Sequence, residues 1–402
     1  VITVAEAQVI VMETVSDFGV EQVPLSDASG RILRETIVAD RPMPPYDRVT
    51  MDGIAISFQS LGVENSNFEI EGIAPAGALQ MALSDQQKCI EVMTGAVLPT
   101  GTDTVIPYEW LDIQGREVKL LKKEIRFGQN VHQVGSDGKP GVELLSPHTL
   151  IDAPEVGVCA TVGKSRLLVS KVPRVMIVST GDELVDVEQQ PLPHQIRKSN
   201  VHQLSAMLRS FGIQAELQHL DDNKEAIQSG LEEALQRMDV ILLSGGVSMG
   251  KFDFIPDMLT SNGVTCHFHK VAQRPGKPFW FGTHPQGATI FAFPGNPVSS
   301  FMCAHVYLLP WLRACLQGKI TNSLFAKLGE DVTFKPSLNY FLQVKLTIDH
   351  HGILLAMPMF GNGSGDLSNL ALADAFIHLP AEEDLFRSGD AYPIIPFRPL
   401  FF

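Results

Sequence analysis

Three segments of this chain pair an apolar, β-branched run with an acidic or glycine-rich turn. They are Val178-Ser179-Thr180-Gly181-Asp182-Glu183-Leu184, Leu243-Ser244-Gly245-Gly246-Val247-Ser248-Met249-Gly250 and Pro294-Gly295-Asn296-Pro297. Each apolar run predicts a buried strand, and open α/β sheets bind ligands beyond the carboxyl ends of their strands. Asp182 and Glu183 directly follow the first strand, Asp221 and Asp222 follow a strand candidate ending at Leu220, and Asp253 comes just after the Gly245-Gly246 turn. Carboxylates converging at neighbouring strand ends repel one another unless a cation or a proton offsets the charge. Their oxygen donors suit Mg²⁺ better than zinc, which recruits histidine or cysteine. The other reading is that these acids cap helices or hydrate a negative surface.

Gly245, Gly246 and Gly250 let the backbone approach a ligand closely, and Ser244 and Ser248 add small donors. The result is an anion cradle without a dinucleotide fingerprint or the lysine of a phosphate-binding P-loop. Two cations flank a Pro-Gly turn in Arg274-Pro275-Gly276-Lys277-Pro278, with Lys270 on the strand before it. Phosphate binding gives those charges a use, and local surface neutralisation is the alternative. The segment Gly361-Asn362-Gly363-Ser364-Gly365-Asp366 is too polar for a core. It reads as a surface loop or as an oxyanion contact.

These loops need a sheet to hold them. From Val175 to about Cys315 apolar runs alternate with helical stripes in the βαβ sense: strands at 175–178, 215–220, 240–243, 267–270 and 289–293, with helices between and one at 298–315. That spacing predicts a parallel or mostly parallel sheet with flanking helices. Upstream, Thr3 and Glu6 have capping-box spacing before an apolar stripe, so a helix is expected to Phe18, ended by Gly19. Short strands at 68–72, 88–92, 103–108, 118–121 and 124–127 predict a small β domain, and a helix is expected at 152–158. Beyond Gly318, strand candidates at 341–346, 354–357, 375–379 and 392–396 predict a terminal β domain or barrel. A chain of 402 residues exceeds one hydrophobic core, so the fold class is multidomain, α/β with β.

The net charge of −14 opposes general attraction to nucleic acid or anionic membranes. Cys89, Cys159, Cys266, Cys303 and Cys315 have no short paired spacing and read as buried thiols. No targeting segment is visible, and no stretch approaches the roughly 20 apolar residues of a membrane helix. A cytoplasmic enzyme is therefore expected.

Taken together, the motifs resemble the molybdopterin molybdenumtransferase family, which inserts molybdate into adenylated molybdopterin. Met51-Asp52-Gly53, Met93-Thr94-Gly95, Ser179 to Leu184, Ser244 to Ser248, Pro275 to Pro278 and Pro294 to Pro297 occur in the family's order. The resemblance implies a homodimer of several-domain subunits. These comprise a helical and linking region at 1–40 with 139–170, an inserted β domain at 41–138, a molybdopterin-binding α/β domain at 171–318 and a C-terminal β-barrel at 319–402. It places Asp52 and Thr94 in the domain that closes on the partner. It also gives acidic roles to Glu183, Asp221 and Asp253, the three implied Mg²⁺ ligands, and basic roles to Lys270 and Arg274. Cofactor contacts fall to Ser179, Gly181, Asp182, Ser244, Gly245, Gly246, Ser248, Pro275, Gly276, Lys277, Pro294, Gly295 and Asn296. A molybdopterin adenylyltransferase is an implied partner.

Three positions depart from the family pattern. Arg274 stands where bacterial relatives have lysine, His132 where a permanent cation is usual, and Lys198 where an acid is familiar. The implied reaction holds adenylated molybdopterin across the glycine-rich loops and basic residues, cleaves its phosphoanhydride and releases AMP as molybdenum is inserted. A water bound to Mg²⁺ is preferred over Asp52 as the proton acceptor. The alternatives are a non-enzymatic scaffold that binds molybdopterin or molybdenum cofactor, and an ordinary nucleotide-dependent metal-processing enzyme.

Overall fold

A computed structural model describes residues 1–62, 66–122, 124–246, 255–319 and 323–399. They form two compact units. One joins Val1–Arg34, Pro147–Ala153 and Arg166–Phe402, and the other joins Glu35–Ser146 and Pro154–Ser165.

In the larger unit, a six-stranded sheet runs in the order Glu216–Leu220, Val175–Thr180, Val240–Ser244, Thr289–Phe293, Trp280–Thr283, Thr265–His269. The first four strands are mutually parallel, and Trp280–Thr283 is antiparallel to both its neighbours. One strand therefore runs against the other five, and the expected mostly parallel sheet stands with one reversed member. Alternation along the central strands fills both faces: Ile177, Leu242 and Phe291 enter one core, while Met176, Val178, Ile241 and Leu243 enter the other. A sheet covered on both sides explains why these strands read as continuous apolar runs. The helix Lys224–Arg237 begins where Asn223 accepts the Ala226 N–H at 2.8 Å, and it packs Ile227, Leu231 and Ala234 against the second face.

The first helix is shorter than expected, spanning Val4–Met12. Its capping box forms as read, with the Thr3 and Glu6 side chains bonding each other's backbone N–H. The helix ends six residues before Phe18, and just beyond its end the Thr14 hydroxyl donates to the Val11 carbonyl at 2.8 Å. Phe18 packs edge-on against Trp311 from outside the helix. The helix expected at 298–315 is broken into Pro297–Cys303, a π turn at Ala304–Leu308, and Leu309–Cys315. Pro310 explains the break, since it has no N–H to give the preceding turn.

The C-terminal strands close into a barrel: Asn339–Ile348 pairs with Leu354–Pro358, which leads through Leu324–Leu328 and Ala391–Pro396 to Ala375–Leu379, and that strand pairs back with Asn339–Ile348. Gln273–Arg274 adds a short parallel strand to this sheet.

The smaller unit holds a sheet in the order Thr104–Pro107, Gly53–Ile56, Lys88–Val92, Asn67–Ala74, Glu117–Leu120, Leu111–Gln114. Residues 124–127 are not a strand; the missing edge is instead Leu111–Gln114, which turns into Glu117–Leu120 at Gly115. Cys266 is exposed, so the buried-thiol reading holds for the other four cysteines only. Among the described residues, no helix is long and apolar enough to cross a membrane.

Candidate functional site

The first loop leaves the sheet at Ser179 and Thr180, both buried at the end of a central strand. The Ser179 hydroxyl and His219 Nδ1 lie 2.9 Å apart, joining this strand end to its parallel neighbour. Gly181 has φ +129°, and a Cβ there would run into the Glu183 carboxylate, so glycine is what lets Glu183 fold back over the turn. Asp182 accepts the Asp222 N–H at 3.1 Å. Burial pushes the Asp222 carboxyl above its ordinary range; the Asp182 backbone N–H, directed at that carboxylate, opposes the shift, and the charges of Asp182 and Glu183 add to it. Asp221 and Asp222 are both exposed, and it is Asp222 that interacts with Asp182 and Glu183.

The other two loops are tied together by a residue whose role the sequence pattern did not reveal. Asn200, at the start of the helix Asn200–Arg209, donates from Nδ2 to the Ser244 hydroxyl at 2.9 Å and to the Gly295 carbonyl at 2.7 Å. Both amide hydrogens are spent on these bonds. An asparagine opening a helix just after a strand-like dipeptide was the available signal. Gly245 and Gly246 adopt φ of +96° and +69°, and a Cβ on Gly246 would press on Ile255 and the Thr180 hydroxyl. Pro294 is buried and its carbonyl accepts the Ser300 hydroxyl. Asn296 donates to the Ser364 hydroxyl at 2.7 Å, and the Val298 N–H reaches the Ser364 carbonyl at 3.1 Å. The polar 361–366 segment is therefore docked on the Pro-Gly-Asn-Pro loop. Ser248 and Asp253, with Gly250, lie outside the described residues.

The cationic turn rests on a buried scaffold. Gln273 is 1% exposed; its amide donates to the Gly276 carbonyl at 2.9 Å and its oxygen accepts the Tyr307 hydroxyl at 2.5 Å. Gly276, at φ +84°, packs so closely that a Cβ would strike Cys303 and Met302. Between Gln273 and Gly276 sit Arg274 and the half-buried Pro275, while Lys277 is exposed. The Arg274 guanidinium lies 5.7 Å from the Phe334 ring centroid, a cation–π distance. Lys270 adopts φ +92°, held by the Phe279 carbonyl at its N–H and by the Ile2 N–H at its own carbonyl. Among the described ion pairs none includes Lys270, Arg274 or Lys277, so their charge is not cancelled by a carboxylate there. Lys198, by contrast, pairs with Asp186 at 2.9 Å and draws that carboxyl below its usual range. The basic departure at 198 is neutralised within its own ribbon, where Leu184–Val185 pairs with Ile196–Arg197.

In the smaller unit, Asp52 Oδ1 accepts from the Thr94 N–H at 2.6 Å and its hydroxyl at 2.7 Å. Those two bonds hold the Asp52 carboxyl below its ordinary range. Gly53 is required beside it, because a Cβ would overlap the Ile106 carbonyl. Tyr108 donates to Glu91 at 2.5 Å, and its hydroxyl is pushed up by burial, by Glu91 and by the charge of Asp52. Among the described residues, no three His, Cys, Asp or Glu side chains are grouped to enclose a metal ion.

Comparison with known proteins covers nearly the whole chain. Residues 2–163 match the MoeA N-terminal region (domain I and II), 176–314 a probable molybdopterin binding domain, and 326–397 the MoeA C-terminal region (domain IV). The chain is 39% identical to a molybdopterin molybdenumtransferase of Synechocystis over 98% of its own length and 99% of the relative's. It is 30% identical to the Bacillus subtilis protein of that name, covering 94% and 90%. A crystal structure of a molybdopterin biosynthesis moeA protein from Pyrococcus horikoshii superposes with a TM-score of 0.81 at 25% identity, over 99% of this chain and all of that one. The fold, the order of the loops and this full-length similarity lead to one assignment: the chain belongs to the molybdopterin molybdenumtransferase family.

Proposed function

We propose that this protein inserts molybdate into adenylated molybdopterin, releasing AMP and forming molybdenum cofactor. The observation that carries the reading is the assembly of the strand-end loops by Asn200, in a unit whose Lys270, Arg274 and Lys277 are left unpaired among the described residues. A substrate with phosphate and dithiolene groups needs both parts: backbone and small hydroxyls to receive it closely, and fixed cations to balance its charge. Gly245, Gly246 and Gly295 supply the close approach, with Ser179, Ser244 and Asn296 beside them. Lys270 and Arg274 bind and stabilise charge on phosphate or incoming oxyanion, and the rigid Gln273–Tyr307 scaffold orients Arg274.

Mg²⁺ fits the donor chemistry. The strand-end acids Asp182, Glu183, Asp221 and Asp222 supply the hard oxygen donors that Mg²⁺ takes, although among the described residues no three of them are grouped to enclose an ion. We assign Glu183 and Asp221, with Asp253, as its ligands, Asp182 and Asp222 shaping the surroundings. Held by these residues, the ion would supply positive charge to offset the negative charge of the phosphate oxygens. Asp52, already ionised and doubly bonded to Thr94, is a weak proton acceptor, so its part is to orient substrate. The working form is a cytoplasmic homodimer that receives substrate from a molybdopterin adenylyltransferase.

The test replaces Lys270 and Arg274 by alanine, singly and together. Folded single variants lose affinity for adenylated molybdopterin or turnover, and the double variant falls short of the summed effects if both groups meet one charged centre. Unchanged binding and AMP release in all three overturns the roles. Tight binding of molybdopterin with no AMP release in the parent points to a scaffold.

A further inference from the structure

Arg274 is exposed, and among the described residues no carboxylate pairs with it. A long side chain left alone would spread over many rotamers and lose that freedom on meeting a ligand. Its surroundings in the C-terminal barrel limit the spread. Gln273–Arg274 runs parallel to Asn339–Ile348 with Arg274 opposite Tyr340, and the Asn339 N–H donates to the Ala272 carbonyl at 3.1 Å. The cationic turn is thereby joined to the barrel sheet. There the Phe334 and Tyr340 rings stack, with centroids 4.2 Å apart and planes 17° from parallel. Phe334 packs in the barrel core with Val332, Leu342 and Phe386, and its N–H is held by the Asp384 carbonyl at 2.8 Å. The Arg274 guanidinium lies 5.7 Å from the Phe334 centroid. Burial pushes the Tyr340 hydroxyl up and the charge of Arg274 opposes that shift, so the same cation is felt at the second ring.

A carboxylate would also orient the arginine, but it would cancel the charge and occupy the donors. An arene attracts the cation through its face and takes no N–H. The donors of a guanidinium lie in its own plane, so a ring can hold it while the fork stays free for two oxygens of an anion. That division belongs to a planar cation, and it separates arginine from lysine at this position. We propose that Phe334, backed by Tyr340, is the positioning residue for Arg274. The proposal rests on Arg274 as a contact for phosphate or oxyanion and adds what sets its direction. Phe334 acts through Arg274 and not on substrate, so its effect must vanish when Arg274 is removed.

Titration calorimetry of the full chain with adenylated molybdopterin, without molybdate, tests this in Phe334→Leu, Phe334→Tyr, Arg274→Ala and the double variant Phe334→Leu with Arg274→Ala. Phe334→Leu weakens binding by roughly two- to fivefold, the size expected of an exposed cation–π contact. The same change made beside Arg274→Ala weakens it no further, and Phe334→Tyr, which keeps a ring face, recovers most of the loss. Where Phe334→Leu unsettles the barrel, Tyr340→Leu takes its place in the same comparison. Equal weakening with and without Arg274 reports damage to barrel packing and overturns the proposal, as does unchanged affinity in Phe334→Leu. A second readout needs no ligand. With ¹⁵N-labelled arginine, the Arg274 Nε–H resonance, assigned by its absence in Arg274→Ala, moves farther in Phe334→Leu than in Phe334→Tyr. An unmoved resonance in Phe334→Leu overturns the positioning role. A parent chain that shows this movement yet binds no adenylated molybdopterin refutes the proposed reaction and leaves the positioning of Arg274 standing, so the two failures are distinct.

Discussion

Thr94 spends its N–H and its hydroxyl on one oxygen of Asp52, and that pair of bonds decides what the carboxylate can do. Both stabilise the ionised form, so Asp52 stays charged well below neutral pH and loses the clamp only as pH falls through its lowered pKa. Removing the hydroxyl in Thr94→Ala moves the Asp52 titration upward toward the ordinary carboxylate range, and Thr94→Ser restores it; carboxyl chemical shifts followed against pH read this directly. An unmoved titration in Thr94→Ala refutes the hydroxyl as a cause of the lowered pKa. Asn200 offers a second test at this scale. Asn200→Ala leaves the Ser244 hydroxyl and Gly295 carbonyl without their donor and costs about 1–3 kcal/mol in urea unfolding. Asn200→Asp, of equal size but unable to donate, does no better.

At the scale of elements, the cationic turn and the π-broken helix share one buried seam. Gly276→Ala forces a Cβ onto Cys303 and Met302 at a backbone angle suited to glycine, and loses about 1–3 kcal/mol in thermal or urea unfolding. Farther along the same helix, His305 sits among Phe301 and Phe397 with its Nδ1 on the Phe301 carbonyl. Burial drives its pKa down to about 4, with the Phe301 bond opposing the shift. A folded pKa below the unfolded one means that the unfolded chain takes up the proton first. Stability is therefore full above about pH 6.5 and is lost as pH falls toward 4, by up to about 3 kcal/mol from this group. Urea midpoints between pH 7 and 5 fall more steeply for the parent than for His305→Gln. Equal slopes contradict this. The seam also shows what the sequence could and could not reveal. The strand Thr289–Phe293 was legible because burial on both faces leaves an unbroken apolar run. Trp280–Thr283 was not, since four residues following a Pro-Gly-Lys-Pro turn give no direction, and only pairing makes the strand antiparallel. The break at Ala304–Leu308 depended on one proline, which periodicity does not weigh.

At the scale of the whole molecule, the order of six motifs along the chain made the family legible, while contacts between distant residues made the site. Asn200 reaching both Ser244 and Gly295, and Asn296 reaching Ser364, span 44, 95 and 68 residues. No local pattern encodes such separations. The two units also differ in what they hold: cations unpaired among the described residues and strand-end loops in one, the Asp52–Thr94 clamp in the other. Sedimentation across the working concentration range is expected to give a homodimer, and a persistent monomer with full activity refutes that proposal. The most direct test of the central claim is a single reaction of purified protein with adenylated molybdopterin, Mg²⁺ and molybdate, with AMP and inserted molybdenum measured separately. Both products are expected in equal amounts, omitting Mg²⁺ suppresses both, and folded Asp221→Asn loses them before it loses substrate. Substrate bound with no AMP released, or AMP released with no molybdenum inserted, would contradict the proposed transfer.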